Sequence, residues 1–169
     1  LGDFPTAKRQ FALAFDGANI WVAAESTVIK HRTSDGAILA TISGSGLDVP
    51  LGLAFDGANI WVANAGGSGV TKLRASDGAN LGTFAAGCSL RSIAYDGANI
   101  WVANACFHNV TKLRASDGAI LGTFAVGTHP YGVAFDGYSI WVASQDNNSV
   151  TKLRASDGAT LGIFAVGAT

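Results

Sequence analysis

The stretch FDGANIWVANAGGSGVTKLRASDGANLGTF, Phe55 to Phe84, decides the fold because the chain says nearly the same thing four times. Its opening, Phe-Asp-Gly-Ala-Asn-Ile-Trp-Val-Ala, also begins at Phe15. It returns at Tyr95 with Tyr for Phe, and at Phe135 as FDGYSIWVA. Trp21, Trp61, Trp101 and Trp141 stand 40 residues apart each time. A fixed period of about 40 residues marks a repeat architecture.

Each unit divides into four short apolar runs. In the second unit they are LGLAF (51–55), NIWVAN (59–64), GVTKLRA (69–75) and NLGTFAA (80–86). Val, Ile, Phe, Trp and Thr favour strands, and runs this short do not make ordinary helices. Asp-Gly pairs or Gly/Ser/Asn clusters separate most of them, which is turn chemistry. Pro50 and Pro130 fall just before a first run, where a missing N–H does little harm.

Four antiparallel strands per unit reads as a β-propeller blade. One such sheet cannot bury both faces alone, but stacking each on its neighbour around an axis does so. The expectation is an all-β chain forming one propeller segment over residues 1–169, in four four-stranded blades. They cover about 10–44, 50–87, 90–127 and 130–167. Leu1-Gly2-Asp3-Phe4 aligns with Leu81-Gly82-Thr83-Phe84, so residues 1–4 read as an extra outer strand. That surplus points to part of a larger ring, or to half of an eight-bladed dimer.

Composition narrows the function classes. Hydrophobic residues make up 49%, which argues against disorder. The net charge of -1 gives no pull toward nucleic acid. No apolar run reaches the roughly 18 residues of a spanning helix. The chain contains no methionine, so Leu1 is read as following a processing site or an upstream segment of a longer protein.

The units PLGLAFDGANIWVANAGGSGVTKLRASDG and PYGVAFDGYSIWVASQDNNSVTKLRASDG resemble bacterial YVTN-type, NHL and virginiamycin B lyase-like propellers. The resemblance lies in a Pro-x-Gly-apolar-Ala first strand, a Trp-Val-Ala second strand and a Val-x-x-apolar third strand. It covers essentially the whole chain. It implies a propeller, with rings wider than four blades, and it names no activity.

In an up-and-down sheet the first-to-second and third-to-fourth turns share one face of the ring. That face is monotonous: Asp16-Gly17, Asp56-Gly57, Asp96-Gly97 and Asp136-Gly137, then Asp35-Gly36, Asp77-Gly78, Asp117-Gly118 and Asp157-Gly158. These read as structural turns, because Asp bonds its own backbone and Gly takes a positive φ. The opposite face varies. Its second-to-third loops read AEST, NAGGSG, NACFHN and SQDNNS, and its fourth-to-first loops TAKRQ, GSGLDVP, GCSLRS and GTHPY. Loops on a rigid scaffold carry function, so this is the candidate binding face. Its candidate ligand-binding residues are Arg91, His108, His129, Tyr131, Asp146 and Asn147.

His108 and His129 could also act as an acid/base pair, as in the lyase-like families. Cys88 and Cys106 flank adjacent strands of one unit and are placed for a disulfide, the alternative being two reduced thiols. The tryptophans read as core, and Lys72/Arg74 and their equivalents read as a solvated edge. No metal-ligand signature, phosphate loop or Gly-x-Ser-x-Gly motif is present, so neither metal nor cofactor is expected. The favoured function is a non-enzymatic interaction scaffold from an exported or cell-surface protein. Its partner would be a glycan, a peptide, a protein, or a second copy completing a ring. The rivals are a lyase-like enzyme using the loop histidines and a purely structural repeat segment.

Overall fold

The computed structural model describes residues 9–167. Sixteen six-residue strands form four antiparallel sheets, each in simple sequential order. The first sheet holds β1 (Gln10–Phe15), β2 (Asn19–Ala24), β3 (Thr27–Arg32) and β4 (Ile38–Ser43). The second holds β5 (Pro50–Phe55), β6 (Asn59–Asn64), β7 (Gly69–Arg74) and β8 (Asn80–Ala85). The third holds β9 (Leu90–Tyr95), β10 (Asn99–Asn104), β11 (Asn109–Arg114) and β12 (Ile120–Ala125). The fourth holds β13 (Pro130–Phe135), β14 (Ser139–Ser144), β15 (Ser149–Arg154) and β16 (Thr160–Ala165). These are the four blades expected from the repeat. Pro50 and Pro130 are the first residues of β5 and β13, not the residues before them. The expected extra strand over residues 1–4 lies outside the described residues.

The first strands line the axis: β1 packs on β5, β5 on β9 and β9 on β13. No comparable packing joins β13 to β1 among the described residues. Side-chain alternation explains the core. In β6, Ile60 and Val62 point to the first sheet while Trp61 and Ala63 point to the third. Trp21, Trp61 and Trp101 are completely buried in this way.

The Asp-Gly turns do more than reverse the chain. Asp56 accepts the backbone N–H groups of Ala58 and Asn59 at 2.9 and 2.7 Å. Its other oxygen accepts the indole N–H of Trp61 at 2.7 Å. Asp16, Asp96 and Asp136 hold Trp21, Trp101 and Trp141 in the same way. Burial raises the Asp56 and Asp96 pKa values. The indole and backbone donors outweigh it and hold both carboxyls below the ordinary range. For exposed Asp136, the Trp141 indole and two backbone N–H groups lower the pKa to about 2.

The lysines do not form a solvated edge as expected. Lys72 and Lys112 are buried, because each shares with its sheet's tryptophan the side that the next sheet covers. Lys72 Nζ sits 4.9 Å from the centre of the Trp61 ring, a cation–π contact. It donates to the Ala115 carbonyl of the next sheet at 2.8 Å. Lys30 and Lys112 make the equivalent bonds to Ala75 and Ala155. The neighbouring arginines are half exposed and pair with turn aspartates, Arg74 with Asp77 at 3.0 Å.

Trp101→Ala is expected to cost about 3–5 kcal/mol, read from urea denaturation. Because the folded-state pKa values of Asp56 and Asp96 are lowered, their stabilising contribution is complete above the unfolded carboxyl pKa of about 4. It is lost as the pH falls through the lower folded values. The denaturation midpoint should therefore drop below about pH 4, and Asp56→Asn/Asp96→Asn should flatten that drop.

Candidate functional site

The variable face is stitched by backbone hydrogen bonds between each second-to-third loop and the link entering the same blade. Gly66 N–H donates to the Asp48 carbonyl at 3.1 Å, and Asp146 N–H to the Thr128 carbonyl at 3.4 Å. Ala65, Ala105 and Gln145 bond the carbonyls of Val49, Ser89 and His129. Asn64 and Thr71 reinforce this from below, Thr71 Oγ1 donating to the Gly46 carbonyl at 2.7 Å. The backbone is thus nearly the same in successive blades while the side chains differ. Val49, Ser89 and His129 occupy one position with φ of 48°, 49° and 50°. His108 and Asn148 share another, at 52° and 45°. Left-handed φ at His108 and His129 therefore belongs to the repeat, and only the imidazoles are particular to these blades.

The structure brings three of the six candidate residues into one cluster. His129 Nδ1 contacts Asp146 Oδ2, both side chains being about half exposed. The His129 backbone N–H donates to His108 Nδ1 at 3.2 Å. The two imidazoles meet edge to face with centroids 5.2 Å apart. The loop position of Asp146 follows from its place opposite Thr128, so blade topology rather than sequence spacing makes the pair.

Arg91 and Tyr131 form a second group nearer the axis. Both lie inside strands, β9 and β13, rather than in the loops where the sequence placed them. The Arg91 guanidinium lies 5.7 Å from the Tyr131 ring centre. Together with Leu13, Leu53 and Ile93 they line an axial cavity of about 280 Å3. Tyr131 also borders a cavity of about 470 Å3 on the fourth blade, with Gln145 and Asn148. Those two residues were not singled out from sequence, since nothing in their identity sets them apart from ordinary loop polar groups. Asn147 joins neither group. Its amide folds over Gly127, where an added Cβ would lie 2.6 Å from the Asn147 oxygen.

Cys88 and Cys106 are joined by a disulfide, with Cα atoms 5.8 Å apart. They occupy the positions of Asp48 and Gly66 in the second blade and of Thr128 and Asp146 in the fourth. The aromatic residue of this loop is Phe107, between the disulfide and His108, and it is 61% exposed. Chemically, the carboxylate engages Nδ1 and so orients the half-exposed His129 ring. Among the described residues, no three His, Cys, Asp or Glu side chains converge as a metal site, and no helix is long and apolar enough to cross a membrane.

No family model and no curated protein matches the chain. Solved structures do. The chain superposes on hydrazine synthase of Kuenenia stuttgartiensis with a TM-score of 0.83 and 15% identity, over 93% of this chain and 49% of that one. The RRP9 WD40 repeats give 0.79 and 16%, over 92% and 51%. A functionally unknown protein of Desulfotomaculum acetoxidans gives 0.80 and 16%, over 94% and 56%. At such identities the likeness shows the β-propeller fold alone. The chain spans about half the length of these structures.

Replacing both cysteines by serine should lower stability by about 3 kcal/mol, the chain-entropy value for a loop of this size. Denaturation of wild type with and without reductant should show the same loss, while the double variant should not respond to reductant.

Proposed function

We propose that this chain is a non-enzymatic interaction scaffold that binds a glycan, peptide or protein ligand on its variable loop face, in an exported or cell-surface setting. It pairs with a second copy of itself as well. One observation carries the binding reading. On this face a conserved backbone course displays different side chains in successive blades, whereas the opposite face repeats the same Asp-centred bonds. A scaffold that varies one face and keeps the other is built for recognition. The exposed Phe107 and Tyr131 supply apolar contact area, and Arg91, His108, His129 and Asp146 supply directional polar groups. The disulfide, which persists in oxidising surroundings, supports the extracytoplasmic setting.

The His129–Asp146 pairing favours one second reading, a lyase-like enzyme in which His129 moves a proton. The two readings separate in a single experiment. Wild type is screened on glycan and peptide arrays and assayed with a cyclic lactone. Binding that weakens at least about tenfold in His129→Ala and Tyr131→Ala, and is unchanged in Asp35→Asn, supports the scaffold. Lactone turnover abolished by His129→Ala supports the enzyme. A ligand lost only through the Asp-Gly turns overturns the choice of face.

A further inference from the structure

The joint between neighbouring blades occurs three times with the same chemistry. The tryptophan face of one sheet, such as Trp61, Ala63 and Val70, meets Ile93, Ile100, Val102 and Leu113 of the next. A lysine crosses the joint to a carbonyl, as Lys72 does to Ala115. A large fourth-strand side chain covers a turn glycine, Ile42 over Gly78 at the first joint and a phenylalanine at the other two. A Cβ at Gly118 would fall within van der Waals overlap of Phe84, and Gly158 stands likewise under Phe124.

Both halves of a fourth joint are present and, among the described residues, unpaired. On the last sheet Phe164 is 46% exposed, and Trp141, alone among the four tryptophans, is not buried. Lys152 lies 4.7 Å over the Trp141 ring, and no carbonyl among the described residues receives it. On the first sheet Leu13 and Phe15 are 66% and 57% exposed. The turn that would accept Lys152 is there too. Gly36 has φ 71°, against 74° and 78° for Gly118 and Gly158. Val22 and His31, at the positions of Val62 and Leu73, are already buried, so the free part of this face is its axial half and the turn.

We infer that two copies join head to tail, the Trp141 face of each on the Leu13 face of the other, in an eight-bladed ring with a twofold axis along the channel. This rests on the self-pairing proposed above and specifies its seam. In it Phe164 covers the partner's Gly36, and Lys152 donates to the carbonyls at the partner's Thr33 and Ser34. Curvature favours this occupant. Among the described residues β13 does not pack on β1, so the four sheets leave their ring open, and they superpose at TM-scores near 0.8 on about half of longer chains. A heterologous contact closes into a ring when its rotation fits, and otherwise grows into filaments. Rotation about the channel also leaves both variable faces on the same side, so the ring presents two identical ligand sites in one plane.

Light scattering on wild type, Leu13→Glu, Phe164→Glu and an equimolar mixture of the two variants tests the seam. Wild type should run at twice the 17.2 kDa chain mass. Each variant alone spoils both seams and should run at the chain mass. The mixture should recover the double mass, because a pair formed from one of each keeps one seam with both native faces. Both replaced side chains are exposed, and circular dichroism checks that the variants keep their sheets. A wild-type dimer unaffected by Leu13→Glu overturns the head-to-tail seam while self-pairing stands. Wild type at the single-chain mass overturns both. Open-ended assemblies overturn the closed ring.

Discussion

A buried indole N–H must be paired, and Trp21, Trp61 and Trp101 each donate to an aspartate five residues earlier, as the partly exposed Trp141 also does. Leaving such a donor unsatisfied costs about 1–3 kcal/mol, a sizeable part of a domain's net stability. The aspartate sits in the tight turn that precedes the strand, so the bond fixes turn, strand start and tryptophan rotamer together. A lysine on the neighbouring strand covers the ring and reaches the next sheet. The column Asp–Trp–Lys–carbonyl thus runs from one blade's turn into the next blade's backbone. Remove its carboxylate and the turn, the core residue and the joint between sheets all lose their anchor.

This column explains which parts of the structure were legible in sequence. Strand number, order and turns follow from period-2 patterning and Asp-Gly chemistry, which act over a few residues. The burial of Trp21, Trp61 and Trp101 follows from their mid-strand place. The lysines were misread because alternation gives the side of a sheet, not what covers it. Lys72 shares a side with Trp61, and that side is an interior joint rather than an edge. The Asp–Trp bond was hidden for a related reason, since a turn-forming role already accounted for every Asp-Gly. At the candidate site, the meeting of His129 with Asp146 depends on which loop lies beside which link. That is a property of the folded blade and has no local signature.

The variable face shows how a repeat can diversify without losing its scaffold. Glycine, cysteine and aspartate occupy one loop position in three blades, at 66, 106 and 146, while the backbone pairing beneath is maintained where Gly66 and Asp146 meet their links. The same geometric slot therefore holds open loop, covalent clamp or acidic side chain. Binding groups placed there are positioned by sheet hydrogen bonding rather than by the loop itself, so they are held without ordering a long flexible segment.

Near-identity of the blades has a consequence for folding. Each sheet assembles from contiguous hairpins, with little loop-closure entropy to overcome. Docking the finished sheets is another matter, because the second, third and fourth present almost the same surfaces to one another. Recognition between surfaces cannot set their order. The short links at 86–89 and 126–129 set it instead, by holding each sheet at high effective concentration beside its sequence neighbour. Tethering has no hold on a sheet from another molecule, which fits the same slot equally well. Crowded refolding of this chain is consequently a competition between intramolecular stacking and blade exchange, decided by protein concentration rather than by any difference in contact chemistry.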